Sequence, residues 1–280
     1  MSSFLKETSD KNLIFNIYAL HGFTGSGLDF IPLKASIESI LSGEFDELNW
    51  LCPSLPGHGD SSDLDCSVQG QYDFLKKYMQ LNASQGNASD SSHGHKNILI
   101  AYSMGSRLGL YHATQETDFW DAIILIGVNP GIRSETERAL RRKSDKELSE
   151  NIEKKGLSWF LDYWKSLPLI RTQYKGFDDF QQVRQMRKSS LDIKGLKNSL
   201  VHFGQGVFPD LWELIPDIKS PLLLINGDLD LKYCEISQQF SDSNPKALSK
   251  VIKGCGHAPH FESPKSTAEV IATFLKKYVT

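Results

Sequence analysis

The stretch Ile98-Leu99-Ile100-Ala101-Tyr102-Ser103-Met104-Gly105 joins an apolar run to a serine that stands between small residues. The run predicts a buried parallel strand, and the apolar helical pattern after Gly105 predicts a helix. A serine on a sharp strand-to-helix turn exposes its hydroxyl at the end of the sheet, in the pattern Gly-x-Ser-x-Gly. Ala101 replaces the first glycine, but it adds only a methyl group, so the turn remains feasible. The alternative is a serine that merely caps the helix.

Five further apolar runs lie on either side of this stretch, and helical patterns separate them. They cover residues 14–20, 48–52, 123–126, 222–225 and 248–252. Because strands and helices alternate, the sequence predicts an α/β fold with a mostly parallel, doubly wound sheet. Such sheets bind ligands outside the carboxyl ends of their strands, so residues that follow strands are the candidates for chemistry.

One long segment, residues 131–215, breaks the alternation because it contains no convincing strand. Its Trp, Leu, Arg and Lys residues recur at helical spacing, as in residues 157–164. We interpret 131–215 as a helical cap over the strand ends, inserted into a core formed by residues 1–130 and 216–280. The Ser-, Gly- and Asn-rich stretch 83–96 predicts a flexible surface loop.

Composition excludes several classes of function. The 280-residue chain carries a net charge of −3 and is 23% charged, which is typical of a folded protein and favours neither nucleic acid nor an anionic membrane as partner. We expect no secretory signal, because the first thirty residues lack a basic start followed by an apolar core, and no apolar run approaches the ~20 residues of a membrane helix. The four cysteines show no Cys-x-x-Cys spacing, so we expect reduced thiols, a cytoplasmic location and no membrane insertion. We also expect no metal and no cofactor, and the oligomeric state stays open.

Two residues that follow the last predicted strands complete a catalytic pattern with Ser103. Asp230 follows the strand at 222–225, and His257 follows the strand at 248–252. Ser, Asp and His in this chain order are typical of the α/β-hydrolase fold. In such a triad the histidine takes the serine proton, and the aspartate holds the imidazole and stabilises its cation. Asp228 competes with Asp230 for this role, but we expect Asp228 to form a turn.

The segment that follows the first strand, residues 20–27, predicts an oxyanion hole. The backbone N–H groups of Phe23 and Met104 are expected to point at one developing negative oxygen. His21 lies in this segment, and His58 lies in the motif at residues 55–59, which follows the second predicted strand and completes the pattern of the fold. For these two histidines we favour a role in bracing loops over a catalytic one.

Beyond these motifs, the chain resembles one family, the 2-succinyl-6-hydroxy-2,4-cyclohexadiene-1-carboxylate synthases of menaquinone biosynthesis. The shared motifs extend over nearly the whole chain and lie at residues 20–27, 102–107, 129–132, 137–145, 160–169, 203–212, 227–232 and 256–262. The hydrolase-type motifs mark a large superfamily, whereas the motifs at 129–169 and Arg107 are more specific. The chain departs from the family at Ala101 and Ser106, where glycine is usual.

The resemblance implies a lyase of the α/β-hydrolase fold, with the cap inserted after the sixth strand of the fold. Members of this family remove a ring proton from 2-succinyl-5-enolpyruvyl-6-hydroxy-3-cyclohexene-1-carboxylate and expel pyruvate. Ser103, activated by His257, would then act as the base. The oxyanion hole would stabilise the charge that builds on the succinyl carbonyl oxygen. The final quinone, menaquinone or phylloquinone, stays open.

A substrate with three carboxylates needs several cationic side chains in its pocket. Arg107 lies one helical turn after Ser103, so both face the same side, close to the positive end of the helix. Arginine binds a carboxylate through two parallel hydrogen bonds, which fixes the substrate against the base. The resemblance adds further pocket residues, namely Arg141, Arg187, Lys232, Trp164 and Tyr102. Arg133, Arg138 and Arg142 are expected to be surface charges.

Two other functions fit parts of this pattern. A carboxylesterase or thioesterase would use the same triad, hydrolyse short esters and tolerate the loss of Arg107. A non-catalytic ligand receptor on the same fold would bind its ligand without turnover, although an intact triad argues against it. The most informative single assay follows pyruvate release from the cyclohexene tricarboxylate by the purified protein.

Overall fold

The computed structural model of the chain describes residues 13–45, 47–83, 94–174 and 190–279. Within these residues six strands form one sheet: β1 (Leu13–Leu20), β2 (Glu47–Leu51), β3 (Gly94–Tyr102), β4 (Ala122–Ile126), β5 (Leu222–Gly227) and β6 (Ala247–Ile252). Their order is β2-β1-β3-β4-β5-β6, and each neighbouring pair is parallel. The six predicted strands and the parallel α/β class are therefore confirmed.

Helices lie on both faces of this sheet. They are α1 (Ile31–Ile40), α2 (Val68–Ala83), α3 (Met104–Gln115), α4 (Glu135–Ser166), α5 (Pro168–Arg171), α6 (Ile193–Phe203), α7 (Leu231–Ser243), α8 (Pro259–Glu262) and α9 (Pro264–Tyr278). Short 3-10 helices cover Gly27–Phe30, Gly59–Ser61, Thr172–Tyr174 and Trp212–Asp217. In the part of the chain that the structure describes, no helix has both the length and the apolar character needed to cross a membrane.

The side chains of β3 show why the sheet is buried on both faces. Ile98 and Ile100 pack into the apolar cluster that α1 and α9 cover, whereas Leu99 and Ala101 pack into the cluster that α2, α3 and α7 cover. All four side chains have no exposed surface. Because successive strand residues point to opposite faces, a continuous apolar run requires this double cover.

The structure departs from the predicted loop at residues 83–96 at both ends of this stretch. Residues 84–93 lie outside the described part, but Ala83 ends α2 and residues 94–96 belong to β3. The loop prediction was wrong there because Gly94 pairs with Leu13 and His95 with Ile14. Pairing with β1 satisfies the backbone of these residues, and local composition does not reveal such a long-range contact.

The regular elements that the structure describes between β4 and β5 are all helices, as expected for residues 131–215. The insertion follows β4, the fourth described strand, whereas the expectation counted six strands of the fold before it. Helix α4 breaks at Gly156, whose φ of 81° and ψ of 173° suit only glycine. Ile152, Phe160, Leu196 and Leu200 form a separate small apolar cluster. The division into core and cap at these boundaries stays a prediction.

Candidate active site

Ser103 occupies the turn between β3 and α3 with a strained backbone. Its φ is 51°, in the left-handed region that residues with a Cβ rarely adopt. Two close approaches maintain the turn: the Ser103 N–H donates to the Ile126 carbonyl at 2.8 Å, and a Cβ at Gly105 would lie 2.2 Å from the Leu20 carbonyl oxygen. Such strain persists only where the surrounding structure enforces it, as at functional sites.

Ala101 and Ser106, the two departures from glycine, are both accommodated at this turn. The Ala101 side chain is fully buried in the apolar cluster beside α3. The Ser106 hydroxyl lies 2.6 Å from the Ala101 carbonyl and 3.0 Å from the Ile126 carbonyl, so the buried group is satisfied. Ser106 therefore ties the first turn of α3 to two strand ends, a role that sequence reasoning did not foresee.

The structure brings Ser103, His257 and Asp230 together. His257 Nε2 lies 3.0 Å from Ser103 Oγ, and His257 Nδ1 lies 2.7 Å from Asp230 Oδ2. Both His257 and Asp230 are buried, which strengthens the interaction between them. Gly127 allows this placement, because a Cβ on it would lie 2.7 Å from the His257 ring. The arrangement can move a proton from the hydroxyl to an imidazole whose cation is stabilised.

Asp228 lies in the same loop but has a different partner. Its Oδ1 accepts a hydrogen bond of 2.7 Å from the Gly254 N–H in the turn after β6. It therefore braces one loop against another, while Asp230 is the carboxylate in contact with His257.

The residues predicted for the oxyanion hole lie beside the elbow. A Cβ built on Gly22 would be 3.5 Å from Ser103 Cβ, so the segment that carries Phe23 lies against the serine. Thr24, next in that segment, has a φ of 65°, the other positive value among the described non-glycine residues. Phe23 and Met104 line one cavity with Ser103.

That cavity has a volume of about 320 Å³ and opens over the carboxyl ends of the strands. Every predicted site residue that the structure describes lines it: Phe23, Tyr102, Ser103, Met104, Arg107, Arg141, Trp164, Asp230, Lys232 and His257. Arg187 lies outside the described residues. Trp164 packs against the Phe23 ring at 5.2 Å, while Lys232 is exposed to solvent. A cavity in which polar and charged groups converge between apolar walls beside an activated serine is typical of a small-molecule site.

Arg107 places a positive charge at the bottom of this cavity. Its Nη2 donates to the Phe203 carbonyl at 2.8 Å, and its guanidinium lies over the rings of Phe203 and Phe208. Burial, followed by the nearby charge of Arg141, lowers the pKa of Arg107 to about 10. The group therefore stays charged at neutral pH. Its Nε is buried without a hydrogen-bond partner.

Arg141 reaches the cavity from α4 and is held at two points. Its Nε donates to Asp145 Oδ1 at 2.8 Å, and its Nη1 donates to Gln205 Oε1 at 2.9 Å. Asp145 is buried, and this burial raises the pKa of its carboxyl group. The remaining nitrogen, Nη2, has no hydrogen-bond partner among the described residues, so it is available to a ligand.

Sequence reasoning missed Gln205 and Tyr233, which connect Arg141 to the triad. Gln205 Nε2 donates to the Tyr233 hydroxyl at 3.0 Å, and the Tyr233 ring lies 4.4 Å from the His257 ring between centroids. Tyr233 is buried, and desolvation raises its pKa. Gln205 stood within the family motif at 203–212, but nothing in the sequence indicated what a single glutamine would contact.

The other histidines and arginines singled out in the sequence lie away from the reacting atoms. His21 Nε2 accepts from the Leu55 N–H at 3.0 Å, and His58 Nε2 accepts from the Thr24 N–H at 3.3 Å, so both brace loops. Of the three arginines expected on the surface, Arg133 lies 4.0 Å above the Trp212 ring, and Arg138 and Arg142 donate to backbone carbonyls. Across the described residues, no group of His, Cys, Asp and Glu is arranged to hold a metal ion.

Comparison with known proteins agrees with the fold and the motifs. The profile of the alpha/beta hydrolase family matches residues 17–270. A Bacillus subtilis (strain 168) protein is 31% identical over 92% of this chain and 89% of its own length; it is named, provisionally, as a 2-succinyl-6-hydroxy-2,4-cyclohexadiene-1-carboxylate synthase. A Salmonella typhimurium protein with the same name is 25% identical over 92% of both chains.

A solved structure extends the likeness to three dimensions. MenH from S. aureus superposes with a TM-score of 0.81 and 26% sequence identity, covering 98% of this chain and 97% of that one. The chain belongs to the alpha/beta hydrolase family and, within it, to the family of 2-succinyl-6-hydroxy-2,4-cyclohexadiene-1-carboxylate synthases.

Proposed function

We propose that this chain converts 2-succinyl-5-enolpyruvyl-6-hydroxy-3-cyclohexene-1-carboxylate to 2-succinyl-6-hydroxy-2,4-cyclohexadiene-1-carboxylate by eliminating pyruvate. The relatives named for this reaction support the assignment, since one of them is 31% identical over nearly the whole chain. The substrate is a small tricarboxylate, and the pathway leads to menaquinone or phylloquinone. We also propose that the protein is cytoplasmic, as the cysteine pattern led us to expect.

The observation that carries the proposal is the unpaired charge of Arg107. Among the described residues, Arg107 forms no ion pair within 4.0 Å, although its guanidinium is buried. The negative charge that acts on it, that of Asp145, is bonded to Arg141 instead. Burying a charge without a directly bonded counter-ion costs free energy, so such a group is expected where an anionic ligand supplies the missing partner. Arg141 adds a second cation to the lining of the same cavity. A pocket for short neutral esters would need neither charge.

In this mechanism Ser103 acts as the base. Its hydroxyl gives its proton to His257 Nε2 at 3.0 Å as Ser103 Oγ takes the ring proton. The electrons of the broken C–H bond form a double bond between ring carbons 2 and 3, and the existing double bond shifts from carbons 3 and 4 to carbons 4 and 5. This shift breaks the C–O bond between ring carbon 5 and the enolpyruvyl group. The leaving group takes up the proton and departs as pyruvate, so no water is consumed. Asp230, 2.7 Å from Nδ1, stabilises the imidazolium that forms.

The remaining cavity residues would hold the substrate and its developing charge. The N–H groups of Phe23 and Met104 would donate to the succinyl carbonyl oxygen, which gains charge as the proton leaves. Arg107, Arg141 and Lys232 would bind carboxylates, and the rings of Tyr102 and Trp164 would pack against the cyclohexene. Arg187 is proposed as a further carboxylate ligand. This positioning brings the ring proton within reach of Ser103.

The test is pyruvate release from the cyclohexene tricarboxylate by the purified protein. Wild type should release pyruvate, while Ser103→Ala and His257→Ala should each lose several powers of ten in kcat, with the double variant little worse than either. Undiminished turnover by Ser103→Ala would remove the serine from the mechanism. Binding of the tricarboxylate without pyruvate release would favour the non-catalytic receptor instead.

A further inference from the structure

The Glu262 carboxylate holds the backbone on both sides of His257. Glu262 Oε2 accepts from the Gly256 N–H at 2.8 Å, and Glu262 Oε1 accepts from the Ala258 N–H at 3.0 Å. Glu262 lies at the end of α8 and is buried. Because the two N–H groups belong to the residues before and after His257, this single carboxylate fixes the peptide that carries the imidazole.

A third donor to the same carboxylate comes from the insertion between β4 and β5. The Thr172 hydroxyl donates to Glu262 Oε1 at 3.2 Å. Thr172 also lies very close to the loop that carries His257, since a Cβ on Gly256 would lie 2.1 Å from Thr172 Oγ1. Only glycine at position 256 allows so close an approach. We call Thr172, Gly256, Ala258 and Glu262 the Thr172 latch.

The adjacent residue of the insertion makes a second contact, with the residue that precedes Ser103. Gln173 Nε2 donates to the Tyr102 hydroxyl at 3.1 Å, and Tyr102 directly precedes Ser103. Two consecutive residues of one 3-10 helix thus touch the supports of both His257 and Ser103. A contact that merely covered the cavity would not need hydrogen bonds to both of these segments.

Hydrogen bonds to a buried carboxylate hold the donor groups firmly in place, because the loss of any donor leaves negative charge unsatisfied. The His257 ring must reach Ser103 Oγ and Asp230 Oδ2 at the same time. A shift of the loop would lengthen one of these contacts at the expense of the other. The latch is therefore placed to control the alignment on which proton transfer depends.

We propose that Glu262 and Thr172 are positioning residues that hold the His257 loop in its productive place, with Thr172 linking the insertion to the triad. The inference rests on the proposed role of His257 but on no particular substrate. It goes beyond the assignment of the reaction, since it says which residues outside the triad set the rate of proton transfer.

The experiment uses a fluorophosphonate probe, which needs the triad but not the natural substrate. Ser103 Oγ bonds to phosphorus, fluoride leaves, and His257 takes the hydroxyl proton. The second-order rate constant is measured for wild type, Thr172→Val, Thr172→Ser and Glu262→Gln, with a thermal unfolding curve for each. Thr273→Val on the exposed face of α9 is the matched control, because among the described residues its hydroxyl bonds only to the Glu269 carbonyl of its own helix.

Thr172→Val keeps the shape of threonine and loses the hydroxyl, so it should react between about tenfold and a hundredfold more slowly, as expected for a catalytic group displaced by up to ~1 Å. Thr172→Ser should stay within about twofold of wild type, because it retains the donor. Glu262→Gln should lose at least as much as Thr172→Val, since its amide group faces a backbone donor. With the tricarboxylate, kcat should fall while KM stays nearly constant.

Wild-type rates in Thr172→Val would overturn the proposal, whether or not its melting temperature falls. An equal loss in Thr172→Ser would also overturn it, because the hydroxyl would then not be the cause. Should Thr172→Val fail to fold, an unchanged rate in Glu262→Gln decides against it in the same way. If wild type reacts with the probe but releases no pyruvate, the proposed reaction fails while the latch is still tested.

Discussion

The buried guanidinium of Arg107 is the single group in the cavity that most separates this site from that of a simple esterase. A charge-assisted bond from arginine to carboxylate contributes roughly 1.5–3 kcal/mol. Arg107→Ala should therefore lose about ten- to a hundredfold in kcat/KM for the tricarboxylate. Arg107→Lys should recover only part of this loss, because a point charge cannot form two parallel bonds. Steady-state kinetics of pyruvate release check the result.

A small neutral ester is the control substrate for this comparison, because it has no carboxylate to bind. Arg107→Ala should treat the ester no worse than wild type does. Arg133→Ala, which removes an exposed arginine from the face of Trp212, should leave both substrates unaffected. Equal losses on the two substrates would mean that Arg107 supports the elbow structurally.

The two aspartates that follow β5 should respond differently to loss of charge. Asp230→Asn should lower kcat by several powers of ten, because the amide stabilises the wrong imidazole tautomer. Asp228→Asn should mainly lower the melting temperature, since Asp228 bonds to the Gly254 N–H in a turn. Kinetics and thermal unfolding of both variants test this. If Asp228→Asn lost the activity instead, the triad would need a different acid.

Between elements, Gln205 joins α4 to α7 through its bonds to Arg141 and Tyr233. Gln205→Ala removes one of the two contacts that orient Arg141, which we expect to weaken substrate binding by about 1 kcal/mol. KM should rise several-fold with a smaller change in kcat, because the Arg141 charge remains but is less well placed. Steady-state kinetics on the tricarboxylate measure both constants.

The matched control is Gln238→Ala, which removes an exposed glutamine whose amide donates to Asp242 on the same helix, α7. It should leave KM and kcat as they are. A fall in kcat with unchanged KM in Gln205→Ala would contradict the assignment and would indicate that Gln205 acts on His257 through Tyr233.

The elements that could be predicted well from the sequence are those whose signal lies within a short stretch of neighbouring residues. The strands follow from continuous apolar runs, and the elbow follows from a serine between small residues at the end of β3. The order of Ser103, Asp230 and His257 could be interpreted because each follows a strand of a parallel sheet. Helical spacing predicted a helical insertion, but it did not give the break at Gly156.

Contacts between distant segments could not be predicted in this way. The bonds of Gln205 to Arg141 and Tyr233, and of Thr172 to Glu262, join residues 28–90 positions apart. Their side chains carry no periodic signal, and single polar residues are usually solvated. The pairing of residues 94–96 with β1 was missed for the same reason, since the partner strand lies far away in the chain.

The stability of the whole molecule should depend on pH through His112. His112 is buried, its Nδ1 accepts from the Trp120 indole N–H at 3.2 Å, and burial lowers its pKa from about 6.5 to about 4. Above pH 6.5 both folded and unfolded chains hold it neutral. As pH falls below 6.5 the unfolded chain takes up a proton first, so the free energy of unfolding should fall by up to roughly 3 kcal/mol by pH 4.

Urea unfolding between pH 7 and pH 4 measures this dependence. His112→Gln keeps an acceptor for the indole and removes the titration, so its free energy of unfolding should depend less steeply on pH than that of wild type. His202→Gln, at an exposed position on α6, should change the slope little. Parallel slopes for wild type and His112→Gln would show that His112 does not set this dependence.

At the scale of the whole molecule, the sheet supplies the triad and the helical insertion closes a cavity over it that contains both cations. The central claim is that this cavity carries out elimination and not hydrolysis, and the mass of the ring product tests it most directly. Elimination gives pyruvate and a ring product whose mass equals that of the substrate minus pyruvic acid. Hydrolysis gives the same pyruvate, but the ring product is heavier by one water. Our account predicts the lighter diene from wild-type protein and its disappearance in Ser103→Ala, and the heavier product would contradict it.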